Sequence, residues 1–268
     1  AFVDWREPAE GAFTLPVPRG WRVSGSVAEI GADGLLPVVR IDSPDGRLQV
    51  FINDPRCGLF TRPGPKLRVK GLFEGRLHFR REGVACPIRR HLPGARLLQE
   101  EILPDRFGLA EIEKLAGLEL PDLARLVTGG GGGRPNPAGE ASALHFRARR
   151  KEPAEEVLGF ACALTRTWPS GPDPGQWDAP ALCGWVAPVG LHREAVRVLH
   201  RALRGFALDP DRATLRPGWN RERAAAATRL YRRLGELFDP AGEAGQGILE
   251  EQTRAAGPAQ ERLTWRDP

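Results

Sequence analysis

The stretch Pro37-Val38-Val39-Arg40-Ile41-Asp42-Ser43-Pro44-Asp45-Gly46-Arg47-Leu48-Gln49-Val50-Phe51-Ile52 decides the fold class. Two β-branched runs flank Pro-Asp-Gly, and an Asp-Gly turn between such runs is a strong local hairpin signal. Ser43 is read as turn chemistry, because a Ser hydroxyl bonds nearby backbone readily. Upstream, Phe13, Leu15 and Val17 alternate as in a half-buried strand. Pro18-Arg19-Gly20 turns the chain, and Trp21 and Val23 resume the alternation. The first fifty residues therefore read as antiparallel β.

Downstream, residues 53–66 read as a long Pro-, Gly- and Arg-rich loop, with β-like pieces over 67–79. Residues 97–104 suggest a short helix stopped at Pro104. Asp105 is expected to cap a weak helix through Leu109, Ile112 and Leu115. The Gly-rich run 129–139 reads as a flexible surface loop. Three further strands are expected over 143–150, 157–167 and 181–189, the last two joined by a Pro/Gly hairpin loop at 169–175. Residues 191–206 give the clearest helix. Val196, Leu199, Leu203 and Phe206 fall on one face, and Arg193, Arg197, Arg201 and Arg204 form a stripe on another. A second helix is expected over 221–238, packed back, followed by a polar tail. The order is α+β, an antiparallel sheet flanked by helices. A parallel nucleotide-binding fold is disfavoured because strands do not alternate with long helices. The expected organisation is an N-terminal extension (1–10), one domain (11–212), and a C-terminal helix with an extended tail (213–268).

At 268 residues with 41% hydrophobic and 27% charged residues, the chain can bury a core of its own. No apolar run approaches the ~18–20 residues that cross a bilayer as a helix. The formal charge of +5 permits an acidic partner. The charge is nearly all Arg, in keeping with GC-rich coding. Nucleic acid is not expected, since no recognition motif or stacking platform accompanies the charge. The sequence contains no Met and starts at Ala1. Such a start is what signal peptidase leaves, so a processed, periplasmic or secreted protein is expected. An even cysteine count in such a chain predicts two disulfides among Cys57, Cys86, Cys162 and Cys183. Three connectivities are open, and the sequence-local one joins Cys57 to Cys86 and Cys162 to Cys183. The alternative is four buried thiols in a cytosolic protein.

The motifs of catalysis are not found. His78, His91, His145, His192 and His200 form no metal-binding array, and His192 and His200 are two turns apart on one helix. No Ser sits in a nucleophile elbow. The glycines at 129–133 lack the Lys-Ser/Thr of a phosphate loop. The paired glutamates at 100–101, 155–156 and 250–251 are sequence neighbours, which point apart. No cofactor is expected. A Cys–His nucleophile built from Cys86 with His91 or His145 is the enzymatic alternative, a secreted hydrolase; a small-ligand or lipid carrier is another. Two surfaces are candidates for binding. One is the locally basic stretch 62–96, with Arg62, Lys66, Arg68, Lys70, Arg76, Arg80, Arg81, Arg89, Arg90 and Arg96, suited to an acidic protein surface or anionic lipid headgroups. The other combines the Arg193–Arg204 stripe with Trp168, Trp177 and Trp265, read as exposed interface anchors.

The segment Glu10-Gly11-Ala12-Phe13-Thr14-Leu15-Pro16-Val17-Pro18-Arg19-Gly20-Trp21 resembles the opening strand and turn of the PsbP-like family. Ser43-Pro44-Asp45-Gly46-Arg47 and Phe51-Ile52-Asn53-Asp54-Pro55 look like a bacterial extracytoplasmic branch of it. The helix ending Gly205-Phe206-Ala207-Leu208-Asp209-Pro210 is similar to that branch's closing helix. The resemblance spans about residues 9–210 and implies an α/β/α sandwich with an antiparallel sheet. It also implies a non-enzymatic role. PsbP-like members dock onto large complexes, photosystems among them, and a nuclear-import relative of the same fold binds a small GTPase. The family shares no catalytic motif, so no catalytic residue is implied. The expectation is an accessory protein docked on a larger, membrane-bound photosynthetic or respiratory complex, with its tail wrapping the partner.

Overall fold

The structure, a computed structural model, describes residues 1–30, 34–79, 85–128, 138–152, 154–168, 175–213, 220–242, 246–247, 250 and 254. The 44-48 turn forms as expected. β4 (Gly34–Asp42) pairs antiparallel with β5 (Gln49–Ile52), and the Gly46 N–H donates to the Ser43 carbonyl at 2.8 Å. Gly46 takes φ 73°, a left-handed conformation that costs glycine little. The Ser43 hydroxyl bonds Asp45 and accepts from the Leu48 N–H, which is the turn role read from sequence.

The larger sheet has eight strands. In spatial order it runs β3 (Arg22–Ile30), β4, β5, β12 (Gln176–Pro188), β11 (Glu155–Trp168), β10 (Ala138–Arg150) and β9 (Leu109–Glu119), with β6 (Leu59–Thr61) on the far end of β12. All pairings are antiparallel. Alternation along the strands feeds two cores. Leu158, Phe160, Cys162 and Leu164 of β11 enter one, whereas Val157, Ala161 and Ala163 enter the other. Buried strands carrying apolar residues on both faces need a covering layer on each side.

The first face is covered by α5 (His192–Arg204), α7 (Arg221–Leu237), Leu123 of α4 (Pro121–Thr128) and a small sheet of β1 (Phe2–Arg6), β2 (Phe13–Pro18) and β13 (Ala207–Leu208). The short helix α6 (Pro210–Ala213) precedes α7. The second face is covered by α2 (Gly94–Leu97), a π-helical turn (Leu98–Ile102) and α3 (Leu103–Phe107). The arrangement is α+β, an antiparallel sheet with helices on both faces.

Several expectations are corrected. Residues 1–10 are no extension: β1 pairs with β2, and Arg6 bonds Asp209 at 3.0 Å. The helix expected over 221–238 does pack back, with Ala224, Tyr231 and Leu234 of α7 buried in the first core, so the domain runs past residue 212. Most of the tail beyond it lies outside the described residues. Pro104 does not end its helix. The Leu103 N–H reaches back five residues to the Leu98 carbonyl, and this wide turn lets a residue without an N–H follow. Residues 109–119 form strand β9, not a helix. The long strand β10 would otherwise present an open row of backbone groups, and pairing outweighs the modest helix preference of Glu, Lys and Ala. Within 67–79, α1 (Pro65–Val69) takes part of what reads as β, and only β7 (Leu77–Phe79) is strand. The Gly-rich loop and most of the 169–175 loop lie outside the described residues.

Candidate docking surface

After β6 the chain leaves the main sheet. The Arg62 N–H donates to the Gly175 carbonyl at 2.7 Å, and α1 follows with only Leu67 buried. A turn punctuated by Gly71 (φ 69°) and Gly75 (φ 87°) leads into β7, which pairs with β8 (Ala85–Pro87) as a separate two-stranded sheet. A parallel bridge from Thr61 to Ile88 ties this sheet to β6.

The two faces of that small sheet differ in an unusual way. The inward face carries the cross-strand pair His78 and Cys86, with His78 Nδ1 3.4 Å from the Thr61 hydroxyl. The outward face carries Leu77 opposite Pro87 and Phe79 opposite Ala85, all exposed. Leu77 is 51% exposed and Phe79 67%, and on the preceding segment Val69 is 89% and Phe73 55% exposed. An isolated exposed apolar residue is ordinary, but four large ones within eleven residues form a surface that wants a cover. Around them stand Arg62, Arg68, Lys70 and Arg76, all exposed and, among the described residues, with no acidic partner. Glu74 is the one acidic residue between 55 and 79. The rest of the basic stretch is spent internally. Arg89 pairs with Glu101 and lies over the Phe60 ring, Arg96 bonds Glu100 at 2.7 Å, and Arg90 approaches Glu100 at 3.9 Å. Arg80 and Arg81 lie outside the described residues.

The second expected surface is not assembled. Arg193, Arg197, Arg201 and Arg204 are all exposed on α5, but Arg204 pairs with Glu236 of α7 and Arg197 with Glu194 at 3.6 Å. Trp177 is no exposed anchor. It is fully buried in the second core, stacked on Phe60 at 4.5 Å, with its indole N–H donating to the Arg89 carbonyl. Sequence placed it in a loop, but it is the second residue of β12 and pairs with Phe60 of β6. It therefore faces the side of the sheet opposite α5. Trp168 is half-buried at the end of β11 beneath the Arg166 guanidinium, and Trp265 lies outside the described residues.

The cysteines are buried thiols, and no disulfide joins them, contrary to the two-bridge expectation. Cys162 and Cys183 do stand directly opposite each other on β11 and β12, as the strand pairing foresaw, and are hydrogen-bonded. Cys57 packs in the second core, and Cys86 is buried on β8 opposite His78. Burial pushes the Cys57 thiol up to about 12. The hydrogen bond with Cys162 and burial hold Cys183 well above an ordinary thiol. Such thiols are poor nucleophiles at neutral pH. His145 packs edge-on against Phe160 in the first core, and His91 against Trp177 in the second, so the sheet separates these two histidines. The cross-strand partner of Cys86 is His78, not His91.

One open cleft of about 510 Å³ is lined by Ser24 and Ser26 of β3 together with Arg40, Asp54, Arg56, Asp105 and Arg106. Its charges are matched within the protein. Arg40 bonds Asp42 at 2.9 Å, Arg56 bonds Asp54 at 2.9 Å and Asp105 at 2.8 Å, and Arg106 bonds Asp54 at 3.0 Å. Burial opposes ionisation of Asp54, but hydrogen bonds from Arg56 and Arg106 together outweigh it and hold the carboxyl below its usual range. A guanidinium stays charged and the Asp54 carboxylate so held stays ionised, so Asp54 and its two arginines position structure and do not exchange protons near neutral pH. Among the described residues, no group of His, Cys, Asp and Glu has the placement of a metal site, and no helix is long and apolar enough to cross a membrane.

Compared with known proteins, the chain matches no family model and no curated protein. The outward apolar row escaped sequence reading. Its one signal was Leu77-His78-Phe79, an alternating triplet inside a basic stretch, and alternation alone does not say which face looks inward.

Proposed function

We propose that the protein is a non-enzymatic accessory protein of the PsbP-like kind that docks onto a larger, membrane-associated photosynthetic or respiratory assembly through the face formed by α1, β7 and β8. The observation that carries this reading is the inverted strand β7, with Leu77 and Phe79 outward and His78 inward. Burying apolar area contributes about 25 cal/mol per Å², so leaving this row in water is costly unless a partner covers it. The family part of the reading is supported by where the resembling residues fall. Phe13, Leu15 and Val17 are core residues of a sheet-forming strand, and the Ala195–Phe206 apolar positions cover the antiparallel sheet.

The test is migration of the native chain after gentle solubilisation of its source membranes. The expected result is a particle far larger than the 29.3 kDa chain, from which the double variant Phe73→Ser/Phe79→Ser dissociates. A wild-type chain that migrates alone overturns the proposal.

A further inference from the structure

We infer that what this face meets at the membrane-associated assembly is its anionic lipid surface, an inference that rests on the reading of α1, β7 and β8 as the docking face. Two properties of the face argue for a bilayer over a protein groove. The first is projection. Val69 at 89% and Phe79 at 67% exposure touch little of their own protein, so they stand out as prongs, where residues lining a groove would be half-covered by its walls. Prongs of this kind enter the soft boundary between headgroups and acyl chains without needing a matching cavity.

The second is charge. Arg62, Arg68, Lys70 and Arg76 share the segment with the prongs, with Glu74 the one acidic residue between 55 and 79, while Arg89, Arg90 and Arg96 meet Glu100 or Glu101. Among the described residues, basic side chains without an acidic partner and projecting apolar side chains thus occur together on this segment. Clustered Lys and Arg are drawn to anionic headgroups, and their long aliphatic stems can lie along the apolar boundary while the charged ends stay with phosphate. Helix α5 carries as many basic residues, but its apolar residues are all turned inward, so it offers charge without insertion.

The experiment is co-sedimentation of the full chain with vesicles of phosphatidylcholine alone or mixed with phosphatidylglycerol. Binding is expected only to the mixed vesicles and is expected to fall with added salt, a measurement that needs no variant. Arg68→Glu/Lys70→Glu should weaken binding at least about tenfold, since each basic residue near an anionic surface contributes several-fold in affinity. Phe73→Ser/Phe79→Ser should weaken it as well and leave a residue of purely salt-sensitive binding. Equal binding to both vesicle types, or none to either, overturns the inference. If vesicle binding fails but Phe73→Ser/Phe79→Ser still releases the chain from its native particle, the lipid assignment falls and the docking reading stands. If neither particle nor vesicle responds to that variant, both fall.

Discussion

Helix α5 and the segment from α1 to β8 are built from similar materials, arginines interleaved with large apolar side chains, and they are used in opposite senses. On α5, Ala195, Val196, Val198, Leu199, Ala202 and Leu203 all face the sheet, and two of its four arginines meet glutamates. On the other segment, Leu67, Cys86 and Ile88 face in, but Val69, Phe73, Leu77 and Phe79 face out beside basic residues with no acidic partner among the described residues. Composition cannot tell the two apart. What separates them is the direction of the apolar row, and that direction is what turns a stability element into a candidate binding element.

The largest effect should come from the base of the projecting segment, where Asp54 anchors the chain as it leaves β5. Its carboxylate accepts from the Arg56 backbone and side chain and from Arg106, whose side chain is only 10% exposed and lies over the Phe51 ring. Asp54→Asn leaves the Arg106 guanidinium buried without its counter-charge, and breaking such a pair costs about 3–5 kcal/mol. Because the folded carboxyl titrates below its unfolded value, its contribution is fully present above the unfolded value of about 3.9 and is lost as pH falls through the folded one. Denaturant unfolding of the two proteins should therefore show a wide gap at pH 7 that narrows in acid. A gap that does not change with pH would mean that packing, not charge, holds this corner.

On the α5 side, Leu199→Ala should remove about 2–5 kcal/mol, because the site lies between helix and sheet and cannot collapse freely; the shift in urea midpoint measures it. Asn53→Ala should cost somewhat less, about 1–3 kcal/mol by the desolvation of the groups it leaves unpaired. Its side chain bonds the Pro37 carbonyl, the Tyr231 hydroxyl and the Leu182 N–H, joining β4, α7 and β12. It also takes φ 59°, a conformation that asparagine tolerates better than most residues. A urea midpoint for Asn53→Ala that matches wild type would mean the Asn53 bond adds nothing to what holds α7 in place.

These two residues also show what sequence could and could not convey. The hairpin at 44–46, the strands around Cys162 and Cys183 and both long helices were legible because their signals are local, namely turn chemistry and periodicity. Asn53 and Asp54 were assigned to a polar loop, since their burial depends on partners as distant in sequence as Tyr231 and Arg106. Strand β9 was missed for a related reason. Its Glu, Lys and Ala residues favour helix, and only the open edge of β10 makes it a strand. The loop composition before Trp177 hides its place in a strand, because its partner Phe60 also lies in a stretch with the composition of a loop. For the docking face, the basic charge of residues 62–76 was visible, but the outward direction of Leu77 and Phe79 was not, because a one-residue change of phase inverts a strand.

The smallest effect on stability is the most telling. Phe79 touches little of its own protein, so Phe79→Ser should change the unfolding free energy by no more than about 0.5 kcal/mol, the range of surface positions away from special features. An apolar side chain that contributes nothing to the fold and exposes a ring to water carries a standing solubility cost. The variant is therefore expected to stay monodisperse at a higher concentration than wild type in light scattering while its urea midpoint is unchanged. A midpoint lowered as far as that of Leu199→Ala would place Phe79 inside a core and erase the contrast between the two regions. An unchanged midpoint with improved solubility would sharpen it, since a residue that the fold does not need and water does not favour is one whose place is set by something outside the chain.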